Sequence, residues 1–187
     1  MAYTSVIPVY RLDNAVRYAQ DKQKTTRQHG MPLAETVDYA LNREKTETDG
    51  FESGLGCTTQ SAYEDMRANA VRWHKTDGVQ GYHLVQSFAE GEVTPEQAFA
   101  IGKETARRMW GDRYQVFVIV HLNTDNVHCH FVVNPVSFKD GAKFKNKIGD
   151  HKELRRISDE ICREHELSVL ENSEFYSKGK KKEYWVH

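Results

Sequence analysis

The strongest constraint on the fold of this 187-residue chain is a hydrophobic β-hairpin in its second half. Residues Tyr114–Leu122 and Val127–Ser137 are rich in the β-branched and aromatic side chains typical of strands. Between them, Asn123–Asn126 consists of residues that favour tight turns. A connection this short returns the chain antiparallel to itself. We therefore predict a sheet that is at least partly antiparallel.

Three histidines converge on this predicted hairpin. His128 and His130 are two residues apart on one strand, so their side chains share a face while Cys129 points to the other. His121 ends the preceding strand, which the turn folds back alongside. Three imidazoles without a facing thiolate leave coordination positions open, as in catalytic metal sites. The pattern predicts a divalent-metal site, in which Asp125 can orient a ligand imidazole. The alternative is a His-rich polar strand face that binds no metal.

Helices and strands alternate along the rest of the chain. Further strands are predicted at Tyr3–Val9, Tyr82–Phe88 and Leu167–Leu170, and helices at Leu12–Ala19, Leu33–Asn42, Ser61–Lys75, Pro95–Trp110 and Lys152–Glu166. Thr94 and Gln97 form a capping box with proline at the first helical position, a clear helix start. The fold class predicted from this order is α/β (α+β).

Composition excludes several classes of protein. The net charge of −1 excludes nucleic-acid binding by bulk positive charge, so an anionic partner needs a local basic patch or a metal. The longest apolar run, Val116–Val120, is far too short to span a membrane, and Met1–Ser5 does not resemble a signal peptide. The three cysteines form no CxxC pair, which indicates reduced thiols and a cytoplasmic protein. We expect one domain over residues 1–187, with about 172–187 as a peripheral or flexible basic tail.

Three segments, in order along the chain, carry a resemblance to a known family. Asp38–Thr46 resembles the tyrosine motif, Tyr82–Phe88 the middle motif and His121–Asn134 the third motif of conjugative and mobilisation relaxases, MobA/MOBP-like members of the HUH endonuclease superfamily. Two downstream segments, Asp140–Phe144 and Leu154–Ser158, also resemble the family. The shared order of the motifs is more specific than any one of them. Full relaxases are usually longer, so the chain resembles their N-terminal catalytic domain.

The resemblance implies an enzyme that nicks and rejoins one DNA strand at a transfer origin, for conjugative transfer or mobilisation. A tyrosine would form a 5′-phosphotyrosine intermediate while the histidines hold a divalent metal, Mn²⁺ or Mg²⁺ first, with Zn²⁺ or Ni²⁺ as alternatives. The implied partners are single-stranded or hairpin DNA, an accessory relaxosome protein and a type IV secretion coupling protein, with no membrane insertion. The implied architecture is a central antiparallel sheet of about five strands flanked by helices.

Two tyrosines compete for the role of nucleophile, because Leu12–Thr25 and Leu33–Thr46 match at six of fourteen positions. Tyr39 has the aspartate before it and the asparagine after it that mark the family motif. Tyr18 lacks both but follows the first strand, where the family usually places its nucleophile. We predict that Tyr39 is the nucleophile and keep Tyr18 as the alternative.

The resemblance and the charge pattern also indicate which residues contact DNA. Gln86 and Ser87 belong to the middle motif, which in relaxases contacts DNA near the cleavage site. Residues 139–156 contain seven basic and three acidic side chains, with an aromatic ring that could stack on a base. The contacts predicted in this segment are Lys143, Phe144, Lys145 and Arg155. The third motif implies that Asn134, with Asp125, supports the histidines.

Two other function classes stay open at this point. A rolling-circle replication initiator shares the histidine pattern and the tyrosine chemistry, and its DNA target would distinguish it. A non-catalytic DNA-binding module would form no covalent adduct with any oligonucleotide.

Overall fold

The computed structural model describes residues 3–10, 12–20, 51–122 and 126–169. Five strands form one sheet in the order β1-β3-β5-β4-β2, and every neighbouring pair is antiparallel. The strands are β1 (Tyr3–Val9), β2 (Glu52–Leu55), β3 (Gly81–Ser87), β4 (Val116–His121) and β5 (His128–Val133). The helices in the described ranges are α1 (Leu12–Ala19), α2 (Ala62–Arg72), α3 (Pro95–Trp110) and α4 (Ile148–Glu164). The predicted fold class is confirmed.

The sheet is covered on both faces, and the alternation of side chains along its strands decides which residues meet which helices. Val118 and Phe131 point to the face packed against α3 and α4, here called the α3/α4 face. Phe117, Ile119 and Val132 point to the opposite face, packed against α1 and α2, here called the α1/α2 face. A strand buried on both faces reads as a continuous apolar run, which explains the sequence of β4.

Helix α3 has the bounds that its sequence predicts. The Thr94 hydroxyl accepts a hydrogen bond from the Gln97 N–H (3.2 Å), and the Gln97 side chain accepts one from the Thr94 N–H (3.0 Å). Both groups would otherwise be unsatisfied at the helix start. Gly102 faces the sheet, where an added Cβ would lie 2.8 Å from the Cys129 sulfur. Glycine at this position therefore allows α3 to approach the centre of β5 closely.

Several element ends differ from the sequence prediction by one to four residues, and two elements differ altogether. Helix α4 begins at Ile148 instead of Lys152, because the Asp150 carboxylate accepts a hydrogen bond from the Lys147 N–H (2.6 Å) and caps the earlier turn. Strand β2 was not predicted. Residues 167–169 form no strand, and the Ser168 N–H instead donates to Glu92 (2.7 Å).

The predicted helix Leu33–Asn42 and the tail 172–187 lie outside the described residues. Within the described ranges, no helix combines the length and apolarity needed to cross a bilayer.

Candidate metal centre

The structure brings the three predicted histidines together on the α1/α2 face of the sheet. In the β4–β5 ladder, His121 lies directly opposite His128, and His130 is the next residue on the same face of β5. One ring nitrogen from each of the three imidazoles can be chosen so that all three atoms lie within 4.8 Å of one another. The ring centroids of His121 and His130 are 4.0 Å apart, and those of His128 and His130 are 4.9 Å apart.

Main-chain carbonyls orient two of these rings. His121 Nε2 lies 2.7 Å from the Ala19 carbonyl oxygen at the end of α1, and His128 Nδ1 lies 2.9 Å from the Asn126 carbonyl oxygen. A carbonyl oxygen only accepts, so each of these nitrogens carries the proton and donates it. In the neutral rings, the lone pairs then reside on His121 Nδ1 and His128 Nε2. Hydrogen bonds of this kind fix the tautomer of metal-ligating histidines.

The surroundings of the cluster favour uncharged imidazoles. The side chains of His121 and His130 are buried, and that of His128 is half-buried. Burial lowers the pKa of His128, against a smaller opposing effect of its hydrogen bond to the Asn126 carbonyl. Neutral imidazole is the form that binds a metal ion. His128, the least buried of the three, marks the side from which a ligand can approach.

The donor set fits a divalent cation. Two nitrogens bound to one ion at about 2.1 Å lie about 3.0–3.4 Å apart in tetrahedral or octahedral geometry. The 4.8 Å limit in this structure is close enough for small ring rotations to reach that spacing. Three imidazoles suit Zn²⁺ and Ni²⁺, and the positions that they leave open for phosphate oxygens or water are of the kind that Mn²⁺ and Mg²⁺ prefer. Asp125, the predicted supporting carboxylate, lies outside the described residues.

The two candidate nucleophiles are placed differently. Tyr39 lies outside the described residues. Tyr18 belongs to α1, and the following residue, Ala19, supplies the carbonyl that binds His121. The backbone at Tyr18 therefore lies next to the histidine cluster. Neither observation tests the predicted role of Tyr39.

One residue at the cluster was not predicted. His83 on β3 is buried on the α1/α2 face, and its Nε2 lies 2.7 Å from His130 Nδ1. The two rings are nearly parallel, with an interplanar angle of 18° and centroids 4.9 Å apart. The alternation of β3 could have identified His83, since it shares a face with the predicted DNA contact Ser87. Ser87 itself pairs with His128 in the β3–β5 ladder and lies on the histidine face.

The structure does not bring Gln86 and Asn134 to the histidine cluster, and their predicted roles stay predictions. Gln86 is fully buried on the α3/α4 face, where it donates to Ser158 (2.8 Å) and accepts from Thr105 (3.3 Å). Strand alternation turns it away from its neighbour Ser87. Asn134 follows the end of β5, four residues from His130 or roughly 13 Å along an extended strand. The Asn134 amide nitrogen donates to the Met66 carbonyl and to the Gln115 side-chain oxygen, and its amide oxygen accepts from the Val136 N–H. These hydrogen bonds stabilise the chain at the end of β5 instead of the histidines.

Two residues of the basic segment 139–156, Lys143 and Phe144, make their contacts away from the histidines. The Lys143 ammonium donates to the carbonyls of Asp77 (2.6 Å) and Val79 (3.4 Å), so it holds a loop together. The Phe144 ring packs edge-on against Tyr82 (5.4 Å between centroids). Tyr82 lies near the start of β3, whereas Ser87 lies at its other end. Lys143 and Phe144 thus make structural contacts in the free protein, and their contact with DNA stays a prediction.

The two remaining predicted DNA contacts in this segment are untested. Arg155 lies on α4, which packs on the α3/α4 face, and it forms an ion pair with Asp159 (3.6 Å). Lys145 is exposed. A role in DNA binding stays a prediction for both.

Comparison with known proteins identifies the family of nucleases to which this sheet with its histidine cluster belongs. Residues 39–167 match the family model described as the nuclease domain of MobA/VirD2-like relaxases. This match covers more than half of the chain, so the chain belongs to the MobA/VirD2-like relaxase family. The family predicted from the three motifs is thereby confirmed.

Named relatives extend the comparison. "Protein rlx" of Staphylococcus aureus is 36% identical over 135 residues, which are 72% of this chain and 39% of the relative. "Group II intron-interrupted relaxase LtrB" of Lactococcus lactis subsp. cremoris is 25% identical over 217 aligned positions, covering 92% of this chain and 38% of the relative. This chain thus spans about two fifths of the length of these curated relatives.

A solved structure shows the same fold. It is described as "Molecular Basis of Vancomycin Resistance Transfer in Staphylococcus aureus" and superposes with a TM-score of 0.58 over 94% of this chain and all of that chain. At 13% sequence identity, this likeness concerns the fold alone.

Proposed function

We propose that this chain is a metal-dependent DNA nicking and rejoining domain that acts at a transfer origin. The observation that carries the proposal is the cluster of His121, His128 and His130, whose ring nitrogens lie within 4.8 Å of one another in a member of the relaxase family. These three imidazoles, two of them oriented by main-chain carbonyls, supply the ligand set for a divalent ion. When bound there, such an ion would neutralise non-bridging oxygens of the scissile phosphate.

The proposed reaction is a transesterification. The phenolic oxygen of Tyr39 attacks the phosphorus, the bond from phosphorus to the 3′-oxygen breaks, and a 5′-phosphotyrosine forms. The phenolic proton is lost as the nucleophile attacks, and the leaving 3′-oxygen gains a proton to become a hydroxyl. Ionising a phenol with a pKa of about 10 at pH 7 costs roughly 4 kcal/mol, so the nucleophile needs a nearby positive charge or a base. The covalent link conserves the phosphoester, and reversal of the same step rejoins the strand.

Tyr39 is the proposed nucleophile because its sequence neighbours match the family motif. Tyr18 is a second candidate that a specific observation favours. His121 hydrogen bonds to the carbonyl of the residue that follows Tyr18, which brings the end of α1 to the histidine cluster. Covalent labelling distinguishes the two.

The proposed partner is single-stranded or hairpin DNA of a transfer origin, reached from the side where His128 and Ser87 lie. An accessory relaxosome protein and a type IV secretion coupling protein are proposed from the family resemblance. Action in the cytoplasm, where the DNA of a mobile element resides, is proposed on the same basis.

Nicking of oligonucleotides tests the chemistry. The full chain is incubated with labelled single strands tiled across the transfer origin of its own element, with and without Mn²⁺ or Mg²⁺. We expect metal-dependent cleavage and a covalent protein–DNA adduct. Tyr39→Phe should abolish both, and Tyr18→Phe should leave both nearly intact. An adduct peptide containing Tyr18 would reassign the nucleophile, whereas cleavage by both single variants and by the double variant would refute the tyrosine mechanism.

The histidines should act through the metal instead of through DNA affinity. His121→Ala is expected to lower metal affinity and cleavage together while single-strand binding persists. The exposed His165, at the end of α4, provides a matched control, and His165→Ala should change neither property. Equal cleavage by His121→Ala and by the unchanged protein would refute the metal site.

A further inference from the structure

Buried His83 is the residue outside the predicted ligand set that bears most directly on the histidine cluster. It lies on β3 opposite Val132, and His130 lies on β5 opposite Val85. The two histidines are therefore diagonal neighbours on one face of an antiparallel pair, a separation that ring side chains can bridge. Their nitrogens meet at 2.7 Å, within the range of a strong hydrogen bond.

The direction of this hydrogen bond decides whether His130 can bind a metal through its other nitrogen. A neutral imidazole carries its proton on one nitrogen and a lone pair on the other. If His130 Nδ1–H donates to His83 Nε2, the His130 lone pair is on Nε2. If His83 Nε2–H donates instead, His130 Nε2 carries the proton and cannot be a ligand. His83 therefore stabilises the form of His130 that can bind a metal only if His83 Nε2 accepts the hydrogen bond from His130 Nδ1.

His130 differs from the other two cluster histidines in the kind of group that orients it. The carbonyls that bind His121 and His128 belong to the main chain, can only accept, and survive any side-chain substitution. The partner of His130 is a side chain that can either donate or accept. The orientation and tautomer of His130 therefore depend on the chemical identity of residue 83.

We propose that His83 is a positioning residue for the metal site: its Nε2 accepts the His130 Nδ1 proton and keeps His130 Nε2 as the ligand atom. The nitrogens are 2.7 Å apart and the ring centroids 4.9 Å apart, so the line joining the nitrogens runs almost directly from one centroid to the other. With 18° between the ring planes, the hydrogen bond lies close to the plane of both rings, as a directed hydrogen bond requires. This inference rests on the proposed metal site, and it assigns to His83 no contact with DNA or with the metal itself.

Metal binding without DNA tests the proposal. The full chain and its variants are titrated with Mn²⁺ by calorimetry. His83→Phe retains an aromatic ring but has no acceptor, and it should weaken Mn²⁺ binding about 10–100-fold. His83→Gln places an amide oxygen near the original Nε2 and should stay within about threefold of the unchanged protein. Thr105→Val is the matched control, because it loses one buried hydrogen bond to β3 on the opposite face and should leave Mn²⁺ affinity unchanged.

The outcomes separate this inference from the proposed function. If the unchanged protein binds Mn²⁺ and His130→Ala loses it, but His83→Phe binds within threefold of normal, the role of His83 is overturned while the metal site stands. If the unchanged protein binds no Mn²⁺ at millimolar concentration, the metal site and the inference both fall.

A second measurement needs no variant at position 83, so it decides the question even if His83→Phe does not fold. Long-range ¹H–¹⁵N spectra of the metal-free protein report which imidazole nitrogen carries the proton. We expect His130 protonated on Nδ1 and bare on Nε2. The reverse tautomer would overturn the proposal.

Discussion

The close approach of α3 to β5 predicts a measurable coupling between Gly102 and Cys129. A methyl group at position 102 would lie 2.8 Å from the Cys129 sulfur and 3.3 Å from its Cβ, where carbon contacts normally begin at about 3.5 Å. Cys129 is fully buried and its thiol donates to the Ala98 carbonyl (3.1 Å), so the sulfur cannot move aside freely. Overpacking of this kind costs about 1–3 kcal/mol, and the better helix propensity of alanine offsets about 1 kcal/mol. Gly102→Ala should therefore destabilise the protein by up to about 2 kcal/mol.

A double-mutant cycle isolates the steric part of this loss. Cys129→Ala removes the sulfur and leaves space into which the methyl group of Gly102→Ala fits. We expect the double variant to be more stable than the sum of the single changes predicts, by at least about 1 kcal/mol. Gly149→Ala is the control, since among the described residues no atom beyond its own stretch of α4 lies within 4 Å of the added Cβ, and it should stabilise the protein by up to about 1 kcal/mol.

Urea unfolding, followed by a fluorescence or circular-dichroism signal, measures all four proteins of the cycle and the control. Additivity within about 0.5 kcal/mol, or a Gly102→Ala variant as stable as Gly149→Ala, would refute the packing argument. Cys129 lies between His128 and His130, so a shift of Cys129 caused by Gly102→Ala should also displace the histidines and weaken Mn²⁺ binding. The double variant should recover part of the lost Mn²⁺ affinity.

Three further predictions follow from individual groups. Gly141→Ala should cost about 2–5 kcal/mol, since φ is +67° and the new methyl would lie 2.6–2.9 Å from the Trp73 ring; a loss below 1 kcal/mol in urea unfolding would contradict this. Hydrogen bonds from two arginines lower the pKa of Glu104 from 4.5 to about 2, so its stabilising contribution is present above pH 4.5 and disappears as the pH falls toward 2. Glu104→Gln should thus cost less than about 1 kcal/mol at pH 7 and nothing near pH 2, and an equal loss at both pH values would contradict the assignment. Burial raises the pKa of the Cys57 thiol to about 12, so alkylation by iodoacetamide at pH 8 should be on the order of 10³-fold slower in the native protein than in urea, as measured by peptide mass spectrometry.

The local signals in the sequence predicted the elements that carry the histidines. The bounds of β1 and α1 match their predicted ranges, and the capping box at Thr94 marks the start of α3. The alternation of β5 placed His128 and His130 on one face and Cys129 on the other, as the ladder shows. These features depend on contacts between residues that are close in sequence, so the sequence alone is enough to predict them.

Predictions failed where an element depends on a distant partner. Strand β2 is four residues long, contains Gly54, and exists through its pairing with β4 more than sixty residues later. The structural contacts of Lys143 and Phe144 were equally invisible in the sequence, where only their charge and aromaticity indicate a role. In the folded protein, the Lys143 ammonium binds two loop carbonyls, and the Phe144 ring packs against Tyr82.

The sequence by itself determined the family, the antiparallel hairpin and the three clustered imidazoles, because period-two alternation and a short turn leave few other arrangements. Only the tertiary structure decided what surrounds the cluster. It brought the Ala19 carbonyl to His121 and the His83 ring to His130, across 102 and 47 residues of sequence. It also turned Gln86 into the core on the other face. Hydrogen bonds between distant segments depend on strand order and register, and those arise only when the whole sheet assembles.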